Sequence, residues 1–154
     1  MKIYLAGPCD TESRTQMVKI ARIFREYGKF EVYCPWELKI ENAWDLDQEQ
    51  WADQVFEEDI KAINDCDIFF MISSGRISTA GTNWEQGYAY ALHKQIIILQ
   101  TTNEPTSLMT YCGCSNFFTC EKNNYYDILR YIINNLIDYG MILNHKTQCQ
   151  TVLT

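Results

Sequence analysis

The sequence predicts an α/β domain with a mostly parallel sheet of about five strands and helices on both faces. Three observations carry this. Strand-like and helix-like patterns alternate along the chain. Two apolar runs of strand length, "DIFFMIS" (67–73) and "QIIILQ" (95–100), are continuous rather than alternating, as parallel strands buried on both faces are. At 154 residues, with no internal repeat and no low-complexity linker, the chain suits one domain with one core.

The elements follow in order. "KIYLA" (2–6) is a short apolar run ended by Gly7-Pro8, a buried strand. Residues 14–27 place Met17, Ile20, Ala21, Phe24 and Tyr27 at helical spacing, and Gly28 is the expected stop. "FEVYCP" (30–35) alternates and ends at Pro, a second strand. The polar stretch from Trp36 to Gln50, with scattered aromatics, reads as a surface loop, and its length marks it as a candidate for function. Residues 48–64 form a second amphipathic helix with Trp51, Val55, Phe56, Ile60 and Ile63 on one face. After the 67–73 strand comes "SGRISTAGT", then a helix from about Trp84 to His93 and the 95–100 strand. "NEPTSLMTYCGCSN" reads as a loop, "FFTC" (117–120) as a short strand and "NNYYDILRYIINNLIDYG" as a final helix. Residues 1–140 are expected to form the domain and 141–154 a C-terminal tail.

Composition narrows the function. Hydrophobic residues make up 47% and charged residues 21%, an ordinary globular balance. A formal net charge of −7 argues against binding a nucleic-acid polymer, because phosphate contacts need clustered Lys and Arg. A nucleoside or nucleotide needs only a local pocket and stays open. "MKIYLAGP" has too short an apolar stretch for a signal h-region, and no run approaches a membrane span, so a cytoplasmic location is expected. The seven Cys (Cys9, Cys34, Cys66, Cys112, Cys114, Cys120 and Cys149) are odd in number and irregular in spacing, which reads as structural or free thiols. Cys112-Gly-Cys114 lacks a second pair at zinc spacing, and His93 and His145 are distant in sequence.

In a parallel α/β sheet, ligands sit outside the carboxyl ends of the strands where strand order reverses. That rule selects residues 7–10, 74–85 and 101–109. Within them, Glu85 of "TAGTNWEQGY" has two readings. It is an acid in a first helical turn favoured by the helix dipole, or a nucleophile or base at the sheet edge. Gly81 would let backbone approach a ligand, Thr82 and Asn83 offer a cap, and Gly87, Ala89 and Ala91 keep one side of the helix slim. Asp59, in "FEEDIKAI", borders the apolar face of its helix and reads from pattern first as a surface acid, with Glu57 and Glu58 solvated. Asp65 and Asp67 read as turn residues, and Tyr4 as a core tyrosine whose hydroxyl can reach the strand end. "SGRIS" carries no phosphate-loop or dinucleotide motif, and there is no G-x-S-x-G elbow for serine hydrolysis.

Taken in order, "KIYLAGP", "VFEEDIKAINDCDIFF", "GTNWEQGYAYALHKQIIIL" and "EPTSLM" resemble the nucleoside 2-deoxyribosyltransferase family over residues 2 to about 120. The most specific block is G-T-x-x-E-x-G-x-A-x-A-x-x-K. The resemblance implies a flavodoxin-like, doubly wound fold and base exchange on a 2'-deoxynucleoside, with a free base as partner and no metal or organic cofactor. It implies that Glu85 attacks C1' of the sugar and that Tyr4 supports Glu85 by a hydrogen bond. Asp59 would help hold the ligand. Gly7, Thr79, Gly81 and Thr82 fall in its substrate-binding stretches. Ser107 and Met109, in the place of the family's Asn and Met, would complete the site of a neighbouring subunit, which implies a homo-oligomer.

Two departures matter. Thr79 stands where many transferases have Asp, and Ser107 where they have Asn. Related hydrolases of (deoxy)nucleoside 5'-monophosphates carry Ser at comparable places, and Ser78, Thr79 and Ser107 could cradle a phosphate that an Asp would repel. Those hydrolases also use an Arg in the first loop, where Asp10 stands here and Arg14 is displaced. Transferase is therefore the leading reading, nucleotide N-glycosidase the second and a non-catalytic nucleotide-binding module the third.

Overall fold

The computed structural model describes residues 1–75, 80–120, 125–141 and 145–146. In chain order the elements are β1 (Lys2–Ala6), α1 (Thr11–Gly28), β2 (Glu31–Tyr33), α2 (Gln48–Asp65), β3 (Ile68–Ser73), α3 (Ala80–Ala91), β4 (Gln95–Gln100), α4 (Leu108–Cys112), β5 (Asn116–Thr119), α5 (Tyr126–Tyr139) and β6 (His145–Lys146). All strand pairs are parallel, in the order β2-β1-β3-β4-β5-β6. The chain moves outward from β1 to β2, then returns to the other side of β1 for β3. The order therefore reverses between β1 and β3, and their carboxyl ends form the switch-point crevice. The two-residue β6 lies in the stretch expected to be tail; residues 147–154 are outside the described residues.

Strand alternation sorts the core into two layers. Ile3 and Leu5 of β1, with Phe70 and Ile72 of β3, pack against α1 and α5 around Phe24, Leu129 and Ile132. Tyr4 and Ala6, with Phe69 and Met71, face Ile63 of α2 and Ala89 of α3. Burying each large apolar side chain contributes roughly 1.5–3 kcal/mol, so both layers hold the sheet.

Local chemistry sets the helix ends. The Asp10 side chain accepts from the Ser13 backbone N–H (2.9 Å) and hydroxyl (2.6 Å), starting α1 earlier than its apolar pattern indicates. Gly28 is the last residue of α1 rather than its stop. The left-handed position is Lys29, at φ 55°. Glycine is needed at 28 because a Cβ there would lie 2.4 Å from the Phe30 ring. Asp47 and Gln50 form a reciprocal capping box on α2.

Several expectations change. α3 begins at Ala80, so Glu85 sits in its second turn, and the first turn holds no acid. Thr82 is consequently a helical residue, not a cap. The Trp36–Gln50 stretch contains two short 3-10 turns, Pro35–Glu37 and Ala43–Asp45. The 103–116 loop contains α4. On α2, only Ile63 is fully buried, while Trp51 and Phe56 are 46% and 55% exposed. The apolar face of α2 is thus not a core face along its whole length. Among the described residues no helix is long and apolar enough to cross a membrane.

Candidate active site

β1 delivers Tyr4 to the α2/α3 side of the sheet, where its ring is fully buried. Its hydroxyl donates to Glu85 Oε1 at 3.1 Å. The in-register neighbour on β2 is Tyr33, and on β3 it is Phe69. The three rings stack across adjacent strands. Tyr4 and Tyr33 have centroids 5.4 Å apart at 15°, and Tyr4 and Phe69 have centroids 5.5 Å apart at 9°. Tyr33 donates its hydroxyl to Asp59 Oδ1 at 2.8 Å. Two stacked tyrosines therefore hold two carboxylates, Glu85 from α3 and Asp59 from α2. This corrects the surface reading of Asp59: the helix turns it inward, onto β2.

Both acids line a cavity of about 450 Å³ at the switch point. Its polar end carries Asp59, Glu85, Thr82 and the Cys9 thiol. Its wall is apolar, with Trp36, Leu38, Ile40 and Trp51. The stretch read as a surface loop is therefore one wall of the cavity, although Trp44 within it is fully exposed. Gly7 and Thr82 lock the floor, the Thr82 hydroxyl donating to the Gly7 carbonyl at 3.0 Å. A Cβ at Gly7 would lie 2.7 Å from Met17 Sδ, whereas at Gly81, which lines the cavity, it would meet nothing within 4 Å among the described residues.

The electrostatics are those of a carboxylate kept from water. Burial, then the nearby Asp59 charge, pushes the Glu85 carboxyl up to about 7, against the Tyr4 hydrogen bond that lowers it. Burial also raises Asp59, opposed chiefly by the Tyr33 hydrogen bond. Burial and the two acids raise both tyrosines well above the usual phenol range, so each stays a hydrogen-bond donor. Burial likewise raises the Cys9 thiol, with help from Glu85 and Asp59. A carboxylate so placed is a desolvated base or nucleophile that titrates near neutrality.

The remaining expected residues lie elsewhere. Ser107 and Met109 line a separate cavity of about 410 Å³ with Asn83, Gly87 and Tyr90. Neither lines the Glu85 cavity. Thr79 and Ser78 fall outside the described residues. The sequence reading missed Tyr33, Trp36 and Cys9. For Tyr33 the only signal was its alternation position in "FEVYCP", which gives a face but no partner.

A doubly wound parallel sheet with a half-buried, tyrosine-supported carboxylate at its switch point defines an α/β protein with a carboxylate-centred candidate site. The nucleoside 2-deoxyribosyltransferase family model matches residues 3–146, and the chain belongs to that family. Among solved structures, it is similar to the 2-deoxyribosyltransferase of Bacillus psychrosaccharolyticus. That match has 28% identity and a TM-score of 0.66, over 84% of this chain and 96% of that one. Its fold is also that of a CMP N-glycosidase of Clostridium botulinum (22% identity, TM-score 0.56, 85% and 97% of the two chains). A conserved protein of Enterococcus faecalis V583 shares the fold at 18% identity and TM-score 0.52, over 96% and 81%. No curated protein matches the chain. Family membership and the 28% identical neighbour support an enzyme of the nucleoside deoxyribosyltransferase type, with nucleosides as the substrate class.

Proposed function

We propose that the protein is a nucleoside 2-deoxyribosyltransferase working through a covalent deoxyribosyl-Glu85 intermediate. The observation that carries this is Glu85 itself, half-buried at the switch point, held by Tyr4 and facing a cavity of about 450 Å³. A Glu85 carboxylate oxygen bonds to C1' as the C1'–N bond breaks. The bond's electron pair leaves with the base, which takes up a proton. A second base then attacks C1' from the side the first one left. Its new C1'–N bond forms as it gives up its N–H proton, the Glu85–C1' bond breaks with its electron pair returning to the carboxylate, and configuration at C1' is retained. The apolar Trp36–Trp51 wall suits a stacked base, and the buried acids suit the positive charge that develops on the sugar.

The test is incubation with a deoxynucleoside and a different free base. New deoxynucleoside is expected, and it should disappear in Glu85→Ala. Accumulation of free sugar with no exchange product would overturn the reading.

A second reading, hydrolysis of a nucleoside 5'-monophosphate, draws on one observation. The Arg14 guanidinium lies 5.4 Å from the centroid of the Trp36 ring, which brings a cation beside the cavity wall. Against it, the described residues lining the cavity include two acids and no cation. A marked preference for the phosphorylated substrate would favour this reading, and equal turnover with and without the phosphate would remove it.

The separate position of Ser107 and Met109 supports a shared-site assembly, in which they serve the cavity of a second copy. Met109 is 79% exposed and so is available for that contact.

A further inference from the structure

We propose that Tyr33 is a positioning residue: its hydroxyl fixes the Asp59 carboxylate in the site, as Tyr4 fixes Glu85. The proposal rests on the catalytic reading above and adds a residue to it.

Apart from the Tyr4 hydroxyl, which also hydrogen-bonds it, little else fixes Asp59. It lies one turn before Ile63, the only fully buried residue of α2, and the helix beyond it toward Trp51 is half exposed. A carboxylate on so lightly anchored a turn has several rotamers open to it, and a charge-assisted hydrogen bond at 2.8 Å selects one. The donor is itself rigid. Tyr33 is paired in register with Tyr4, and its ring stacks on the fully buried Tyr4 ring. β2 is an edge strand of three residues, so this stack and bond give Tyr33 a place that its strand alone would not. The outcome is a ladder: adjacent strands present adjacent phenols, and adjacent helices present adjacent carboxylates.

The groups facing Asp59 are Tyr4 on β1, Tyr33 on β2, Glu58 on α2, Glu85 on α3 and Cys9 just after β1. Among these, the Tyr33 bond is the main influence opposing the rise that burial imposes on Asp59. Removing the hydroxyl should therefore both loosen the carboxylate and favour its protonated form.

The experiment is a double-mutant cycle of Tyr33→Phe and Asp59→Asn, with donor kcat/KM and Asp59 titration by carboxyl carbon NMR as readouts. Tyr33→Phe keeps the ring and its stack, and circular dichroism checks the fold. The single change should lower kcat/KM about tenfold, the scale of one lost hydrogen bond to a charged group. In the Asp59→Asn background it should do almost nothing. The Asp59 titration midpoint should rise in Tyr33→Phe. An equal penalty in both backgrounds would mean that Tyr33 acts through packing, and overturns the proposal, as does an unchanged midpoint or an unchanged kcat/KM. If the unsubstituted protein turns over no nucleoside, the catalytic reading fails by itself. The NMR titration still decides whether Tyr33 holds Asp59.

Discussion

Glu85 concentrates the consequences at the residue scale. A nucleophilic carboxylate works ionised, and this one titrates near 7, so donor kcat/KM should rise with pH through that region and level off above it. Asp59 is one cause of the elevation. Asp59→Asn removes a negative charge and should move the midpoint of the pH–rate profile to lower pH; a midpoint that stays in place would show that Asp59 exerts no field on Glu85. The same shift affects stability with a definite sign. Below the ordinary value of 4.5, Glu85 is protonated whether the chain is folded or not. Between 4.5 and about 7 the folded protein keeps the proton that the unfolded chain releases, so stability falls as pH rises. Above this window the penalty is complete, at most about 3 kcal/mol at 1.36 kcal/mol per unit. Glu85→Gln keeps an oxygen for Tyr4 and removes the charge. It should raise the melting temperature at pH 8 and leave it nearly unchanged at pH 4, a difference that calorimetry would measure. Activity here is maintained at some cost in stability.

Among the elements, the turns that frame the site make the next demands. Gly75 follows β3 at φ +71°, and a Cβ there would lie 2.7 Å from Glu104 Cβ and 2.9 Å from its carbonyl oxygen. The loops leaving β3 and β4 touch at this point. Gln100 holds the second of them by donating to the Thr102 carbonyl (3.0 Å) and the Glu104 carbonyl (2.6 Å), and it accepts from Thr106. Gly75→Ala combines left-handed strain with a backbone clash and should cost about 1–3 kcal/mol in urea unfolding. α2 depends more on its ends than on its burial. Asp47→Ala breaks the capping box and should cost about 1 kcal/mol. Hydrogen exchange should show faster opening in the first turns of α2 than in β3, because the strand is buried along its whole length.

For the whole molecule, the telling feature is apolar surface that one subunit leaves uncovered. Trp84 is 51% exposed, Tyr90 63%, Leu108 52% and Met109 79%, all on α3 and α4. Phe56 and Tyr88 extend this surface through ring contacts to Trp84 at 5.6 Å each. Single exposed apolar residues need no explanation, but Tyr90 and Met109 line one cavity together, and Phe56, Trp84 and Tyr88 form one ring cluster. Among the described residues nothing would meet a Cβ at Gly87. On the shared-site reading a second copy covers this face. Sedimentation should then show an oligomer, and Met109→Lys should lower both its mass and the exchange activity while leaving the Glu85 cavity untouched. A monomeric natural protein, or a monomeric variant with full activity, would refute that arrangement.

The sequence by itself determined the α/β class and the strands from "KIYLA", "DIFFMIS" and "QIIILQ", and it singled out Glu85 and Tyr4 as candidates. Those signals are local: apolar runs, the Gly-Pro break after β1 and a family block centred on the acid. Local patterns also carried limits. The apolar period placed the start of α3 at about Trp84 rather than Ala80, because "AGTN" adds no large apolar side chain to mark the first turn. Only the tertiary structure decided that Asp59 turns inward, that Tyr33 holds it and that the Trp36–Gln50 stretch is a cavity wall. Each of these depends on pairing β1 with both β2 and β3, which brings distant residues into register. Periodicity reports which face of an element is apolar. It does not report what that face meets, and the chemistry of this site arises where the elements meet.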